Sequence, residues 1–347
     1  MSDLRRYDFA IVGFGNVGRA LARHFAERRE LVRERFDVDL VLTAVVDRSG
    51  AVFAAEGVPI DGLARRKEQR GSLADSPQAH PAPRPDELRA RGVEGLVVAL
   101  PTNLDGGEPG LSLARAALDS GLDLVLADKG PALFALPELL EKAARGGLFL
   151  GTSATTGCAL PSLSVLRSWF GAARIDEISG VLNGTSNLIV TRLREPGSTY
   201  ESALAEAQRL GIAEPDPTLD VEGFDTAIKL VILARGLIDP EASLRSVARR
   251  GIVGLPAELL AAARTGPERL RLVGRARRVG TSALLSVIPE LVAPTDPLHD
   301  VEGTSKAVTF RGEDLGEMTL VGGASSRSGT ASALLRDLVA AARARRV

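Results

Sequence analysis

Five carboxylates, Glu214, Asp216, Asp220, Glu222 and Asp225, stand close together in the chain, and Lys229 follows them. Pro215 and Pro217 fix φ and push the residues before them towards extended conformations, so this stretch is expected to begin as a shaped loop. After Gly223 the spacing becomes helical. Asp225 and Lys229 then lie one turn apart on one face, with Phe224, Ile228 and Val231 beside them. Residues 230–234 continue the helix without a polar side chain, which implies burial all round and places Lys229 near an interior rather than in an exposed ion pair. A lysine held this way is suited to proton transfer. Burial favours its neutral form and a neighbouring carboxylate its charged form, so the two oppose each other.

A second chemical feature is Gly13-Phe14-Gly15-Asn16-Val17-Gly18, which follows a strand at residues 7–12 and opens a helix at 19–31 that extends to about 36. In that context Gly13 suits a tight turn, Gly15 the close approach of a pyrophosphate, and Gly18 the packing of helix on strand. A strand over 38–46 ends in Asp47, placed to bond a ribose 2′-hydroxyl, and Arg48 beside it can receive a 2′-phosphate. NAD and NADP therefore both remain open. A third feature is Lys129, at the carboxyl end of a strand over 123–127, where open α/β sheets bind ligands. It is either a surface turn or a group that meets nicotinamide and substrate.

These features need two domains to position them. The chain has 347 residues, of which 45% are apolar and 25% charged, with a net charge of −1. That length suits two cores, and that charge argues against a general binder of nucleic acid or membrane surfaces. Cys158 is the single cysteine and there are three histidines, which excludes an internal disulfide and a Cys/His metal cluster. With no histidine near it, Cys158 reads as a small packed thiol. No apolar signal region or membrane-length run is evident, so a reducing cytoplasm is the expected location.

The fold class expected is α/β: an N-terminal Rossmann-type, doubly wound parallel sheet plus an α+β catalytic and dimerisation domain. Residues 56–85 read as a solvated helix, carrying the basic run 65–70, for which a solvated face is favoured over contact with a cofactor phosphate, and then a loop with His80. A strand over 95–100, helices over 111–120 and 139–145 and a short strand over 148–150 complete the first domain. Beyond the crossover 151–161 come a helix at 165–170, a strand at 175–181, helices at 188–193 and 201–210, helical pieces over 244–264, and strand pairs at 270–274 with 283–292 and 306–310 with 318–321. The turn at 183–187 is rich in donors for a carboxylate or an amide, or caps the helix after it. Gly322 to Ser332 then opens a final helix that returns to the first domain. The expected division is 1–151 with 330–347 for NAD(P) binding and 152–329 for substrate binding, catalysis and dimerisation.

Taken together, Gly13-Phe-Gly-Asn-Val-Gly18, Pro101-Thr-Asn-Leu104, Ala127-Asp-Lys-Gly-Pro131, Asn183-Gly-Thr-Ser-Asn187, the segment from Ala213 to Lys229, and Gly329-Thr-Ala-Ser-Ala333 resemble homoserine dehydrogenases, in that family's order along nearly the whole chain. The resemblance implies NAD(P)H-dependent reduction of L-aspartate-4-semialdehyde to L-homoserine, in threonine, methionine and isoleucine biosynthesis, by a homodimer of the short form without an ACT domain. It implies Lys229 as acid/base with Asp225 orienting it, and Lys129 polarising the carbonyl or binding substrate. Glu214 and Asp220 would hold the substrate ammonium, with Gly184 and Thr185 as donors around it. Thr102 and Gly329 would contact the cofactor. Some family members also hold Na⁺ or K⁺, which here would fall on the backbone of Ser153, Thr156 and Cys158. The chain departs from the family at Asp128 (commonly Asn), Ser153 (Glu), Ile212 (Tyr) and Lys306 (Asn). Two other readings are a paralogous oxidoreductase for another amino-aldehyde or hydroxy amino acid, and a non-catalytic dinucleotide-binding regulator.

Overall fold

A computed structural model describes residues 4–345 apart from 75, 77, 78, 324 and 325. Parts of the expected polar loop, of the glycine-rich lead into the last helix, and the end of the C-terminal segment at 346–347 lie outside the described residues. The chain forms two compact units, Met1–Thr155 with Ser326–Val347, and Thr156–Ser325.

The first unit is built on β1 (Arg5–Val12), α1 (Asn16–Phe36) and β2 (Val38–Asp47). After them come β3 (Gly50–Phe53), α2 (Ile60–Arg70), β4 (Ala79–His80), α3 (Pro85–Ala90) and β5 (Gly95–Val98). Then follow α4 (Gly110–Asp119), β6 (Asp123–Leu126), α5 (Lys129–Arg145) and β7 (Leu150–Gly151). The strand order is β4-β3-β2-β1-β5-β6-β7, with β2, β1, β5, β6 and β7 parallel. Every residue of β5 and β6 is buried, as continuous apolar strands covered on both faces must be. The C-terminal helix, Arg327–Ala344, packs its Leu334 and Leu338 into the same core as Phe9 and Phe25.

The antiparallel edge β3–β4 corrects the expectation of a plain loop around His80, which pairs with Ala51. Period and composition miss it because a two-residue strand leaves no pattern. The helix expected from residue 139 starts ten residues earlier, at Lys129, and is broken by a non-helical Ala135 (φ −141°) two residues before Pro137. The proline hides the continuity, since it breaks the helical hydrogen-bond ladder.

The second unit follows α6 (Ser153–Thr156) and contains α7 (Leu163–Trp169), β8 (Glu177–Val181), α8 (Gly184–Arg192), α9 (Tyr200–Arg209), α10 (Thr218–Val221) and α11 (Phe224–Leu237). It continues with β9 (Val247–Arg249), α12 (Ala257–Thr265), β10 (Arg269–Val279), β11 (Ser282–Val292), β12 (Lys306–Gly312) and β13 (Gly316–Gly322). These strands form one sheet, β13-β12-β8-β10-β11-β9, antiparallel except for β9 beside β11. β9 interrupts the stretch 244–264 that was expected to be helical, because its backbone pairs with β11 from residue 285 to 287. Residues 225–234 of α11 are all buried. The molecule is thus α/β, a Rossmann-type parallel sheet plus a second α+β unit, and among the described residues no helix is long and apolar enough to cross a membrane.

Candidate functional site

Within the first unit, the turn after β1 has the stereochemistry that its glycines suggest. Gly13 sits at φ +99°, and a Cβ there would come 2.4 Å from the Ala99 carbonyl oxygen. A Cβ on Gly18 would meet the Gly13 carbonyl at 2.1 Å, whereas one on Gly15 would meet nothing within 4 Å. Gly15 faces open space as the N-cap of α1, whose first turn has no acidic residue and no side-chain cap. Those amides border a cavity of about 720 Å³ lined by Gly13, Phe14, Gly15, Asn16, Val17, Asp47 and Arg48, together with Lys67 and Pro101. An uncapped helix start on such a cavity suits an anion such as a pyrophosphate, so these residues fit a dinucleotide.

Asp47 is one of the buried charges of this cavity. Its Oδ1 accepts from the Ser49 amide at 2.6 Å and its Oδ2 from Lys67 Nζ at 2.5 Å. Burial alone would raise the Asp47 pKa, but the bonds from Lys67 and Ser49 outweigh it and hold the carboxyl below the usual range. Lys67 therefore leaves the solvated face expected for the run 65–70. Nothing in the local sequence marks it, because the contact depends on how α2 lies against the end of β2.

The remaining first-unit candidates stand elsewhere. Thr102 Oγ1 accepts from the Lys129 amide at 3.2 Å, so the ends of β5 and β6 bring these two residues together beside the cavity rather than on its lining. Asp128 caps α5, accepting from the Gly130 amide at 2.9 Å. Burial raises its pKa, opposed by the Gly130 bond, Thr102 and the Lys129 charge. The Gly329 amide donates to Ser326 Oγ at 2.9 Å in the first turn of the C-terminal helix. The Ser153 amide and hydroxyl both donate to Asp337 of the C-terminal helix, at 3.0 and 2.7 Å.

Within the second unit a polar network lies at the start of α11 and the end of β8. Lys229 Nζ donates to Asp225 Oδ2 at 2.5 Å and to the Leu182 carbonyl at 2.9 Å. Lys229 and Asp225 are only 6% and 8% exposed, so this is no surface ion pair. Asn183 Nδ2 bridges Asp220 Oδ1 at 2.7 Å and Asp225 Oδ2 at 2.9 Å, while its Oδ1 accepts from the Ser186 amide and caps α8. Of the two roles suggested for the 183–187 turn, the helix cap is the one seen here, made by the side chain that also binds these two acids. Burial, then repulsion from Asp225, raises the Asp220 pKa. Gly184 and Thr185 are buried in the first turn of α8, with Thr185 Oγ1 donating to the Ile212 carbonyl at 3.3 Å. Glu214 stands exposed in the loop, outside this network. A buried ammonium held by one carboxylate and one carbonyl can deliver a proton to an oxygen placed beside it.

The homoserine dehydrogenase family model matches residues 161–339, the part of the chain that carries this network. The chain belongs to the homoserine dehydrogenase family. It is 31% identical to a homoserine dehydrogenase of Methanocaldococcus jannaschii over 96% of this chain and 97% of that one. It is 33% identical to an NAD(+)-dependent homoserine dehydrogenase of Pseudomonas canavaninivorans over 97% of this chain and 96% of the relative. A hyperthermophilic archaeal homoserine dehydrogenase solved in complex with NADPH superposes with a TM-score of 0.79 at 28% identity, covering 97% of each chain. Residues 1–101 also match the model of glutamate/leucine/phenylalanine/valine dehydrogenases, another dehydrogenase group, over the glycine turn. The protein is an NAD(P)-dependent oxidoreductase acting on a CH–OH group, with the homoserine dehydrogenase reaction between L-aspartate-4-semialdehyde and L-homoserine.

Sequence reasoning favoured a solvated face for the run that holds Lys67 over contact with a cofactor phosphate, and gave Asn183 no role of its own, although Asn183 is part of the run that carries the resemblance. Its importance rests on reaching two acids 37 and 42 residues away. The raised Asp220 pKa fixes a sign: ionising Asp220 is harder in the fold than in the unfolded chain, so its unfavourable contribution is absent at low pH and grows as pH rises through its folded pKa. Asp220→Asn is therefore expected to melt at the same or a higher temperature than wild type at pH 7, with that gap closing towards pH 4, while kcat/KM falls by about ten-fold or more. Melts and rates at both pH values decide it; a variant destabilised at pH 7 gives Asp220 a structural role instead.

Proposed function

We propose that Lys229 donates the proton to the carbonyl oxygen of L-aspartate-4-semialdehyde as it is reduced to L-homoserine. One observation carries this reading: the Lys229 ammonium is buried and aimed by Asp225 and the Leu182 carbonyl. A reduced nicotinamide cofactor bound at the glycine turn would supply the hydride for the aldehyde carbon. As that C–H bond forms, the carbonyl π electrons move to oxygen, and an N–H bond of Lys229 breaks to complete the hydroxyl. Asp225 keeps the nitrogen oriented and stabilises its charged form before transfer. Lys129 polarises the carbonyl or binds substrate, supported by its place at the end of β6 beside Thr102, which the family resemblance makes a cofactor contact. Asp220 holds the substrate ammonium, which would relieve its repulsion from Asp225. Glu214 joins it, and Gly184 and Thr185 surround the substrate, on the strength of the family resemblance.

For the cofactor, two cations, Arg48 and Lys67, line the glycine-turn cavity together with one carboxylate, Asp47, which pairs with Lys67. That excess favours a 2′-phosphate, so NADPH is the proposed preference, with Asp47 able to accept the ribose of NADH. Gly329 is kept as a cofactor contact by resemblance alone. A homodimer through the second unit is supported by the outer face of its sheet. Leu285 and Val287 of β11 are buried, but Leu284 and Ile288, which alternate with them, are 66% and 37% exposed. The cytoplasm is proposed as the site of action, where the single thiol, Cys158, stays reduced.

Three outcomes are expected. Lys229→Met lowers kcat by about 10²–10⁴ in an assay of aspartate semialdehyde with NADPH, followed at the nicotinamide band; a variant that keeps most of its rate removes Lys229 from the chemistry, and a wild type that consumes neither NADPH nor NADH sinks the reaction for this chain. Lys67→Gln raises KM for NADPH by about ten-fold or more with little change for NADH, the loss of one charge-assisted bond. Equal effects on both cofactors would count against a 2′-phosphate contact. Finally, Leu284→Glu combined with Ile288→Glu yields a monomer by light scattering where wild type is a dimer; a wild-type monomer ends the proposal of a dimer.

A further inference from the structure

Lys306 opens β12 and is 1% exposed, one of the largest fully buried side chains of the molecule. Its Nζ donates to the Gly157 carbonyl at 2.9 Å. Gly157 lies between Thr156 and Cys158, in the crossover whose backbone carbonyls the family resemblance offers to Na⁺ or K⁺. The chain there is tightly shaped. Cys158 takes φ +54°, Thr156 Oγ1 shares a hydrogen bond with Ser162 Oγ at 2.8 Å, and a Cβ on Gly157 would come 2.1 Å from the Leu160 carbonyl oxygen.

The donor set does not fit a metal ion. A monovalent metal would need several oxygen ligands, carbonyl or carboxylate, turned inward on one point. The Gly157 carbonyl, between the Thr156 and Cys158 backbones offered to the ion, already accepts from an ammonium, and Ser153 offers a hydroxyl that donates to Asp337 instead of a carboxylate. Among the described residues, no group of three or more His, Cys, Asp or Glu could hold a metal. A second positive charge placed beside the buried ammonium would also be repelled through a low dielectric.

We propose that the Lys306 ammonium does the work of that cation: it is a positioning residue that holds the crossover through the Gly157 carbonyl, so that the protein needs neither Na⁺ nor K⁺. An ammonium and a weakly hydrated metal ion satisfy a carbonyl oxygen by the same attraction of charge for dipole. The lysine differs in being tethered and always present. An asparagine at this position carries no charge and would leave the carbonyl to an ion from solution.

The test compares melting temperature and initial rate in tetramethylammonium chloride, NaCl and KCl at one ionic strength. Wild type is expected to melt within about 1 °C in all three salts, because an ion that does not bind cannot shift the transition. Its rate is expected to be equally indifferent. Lys306→Asn is expected to melt lower in tetramethylammonium and to recover in Na⁺ or K⁺. A wild type stabilised or activated several-fold by Na⁺ or K⁺ overturns the proposal, and so does a folded Lys306→Asn variant indifferent to all three salts. If Lys306→Asn does not fold, the wild-type melts decide alone. Melting needs no substrate, so its outcome stands apart from the proposed roles in the homoserine dehydrogenase reaction.

Discussion

The second unit depends on the Lys229–Asp225 pair and on the apolar helix that buries it. An ammonium and a carboxylate removed from water lose hydration that their mutual attraction only partly returns, so the arrangement persists when every remaining donor and acceptor is used. Here the Leu182 carbonyl takes another Lys229 hydrogen, and Asn183 covers Asp225. The surrounding helix is buried from residue 225 to 234, so this polar group is held by packing on all sides.

Asn183 ties that pair to the acid loop. A single side chain caps α8 through Ser186, steadies Asp220, and donates to the carboxylate that orients Lys229. Asp220 pays for this closeness with a pKa raised by burial and by Asp225. Such an unfavourable charge is characteristic of a site shaped for a ligand rather than for stability alone. The first unit shows the opposite case, where Lys67 and Ser49 hold Asp47 ionised within the glycine-turn cavity.

Much of the fold was legible from local pattern. The β1–turn–α1 unit, the long β2, the buried β5 and β6, and the hairpins β10–β11 and β12–β13 all carry periodicity or apolar runs long enough to read. The two-residue β4, the short β9 and the start of α5 ahead of Pro137 were missed, since each is defined by a partner or hidden by a proline. At the candidate site, the Asp225–Lys229 spacing was readable because a helix turn fixes it. The bonds of Asn183, Lys67 and Lys306 were not, because each joins positions far apart in the chain.

The sequence by itself determined the glycine turn, the helical spacing of Asp225 and Lys229, and the order of motifs that marks the homoserine dehydrogenase family. These follow from steric rules and short-range geometry that hold wherever the segments sit. Tertiary structure alone decided which charges are buried and what meets them: Lys67 on Asp47, Asn183 between two acids, and Lys306 on the Gly157 carbonyl. Hydration and dielectric depend on everything packed around a group, so the state of a charged side chain is set only once the chain has folded.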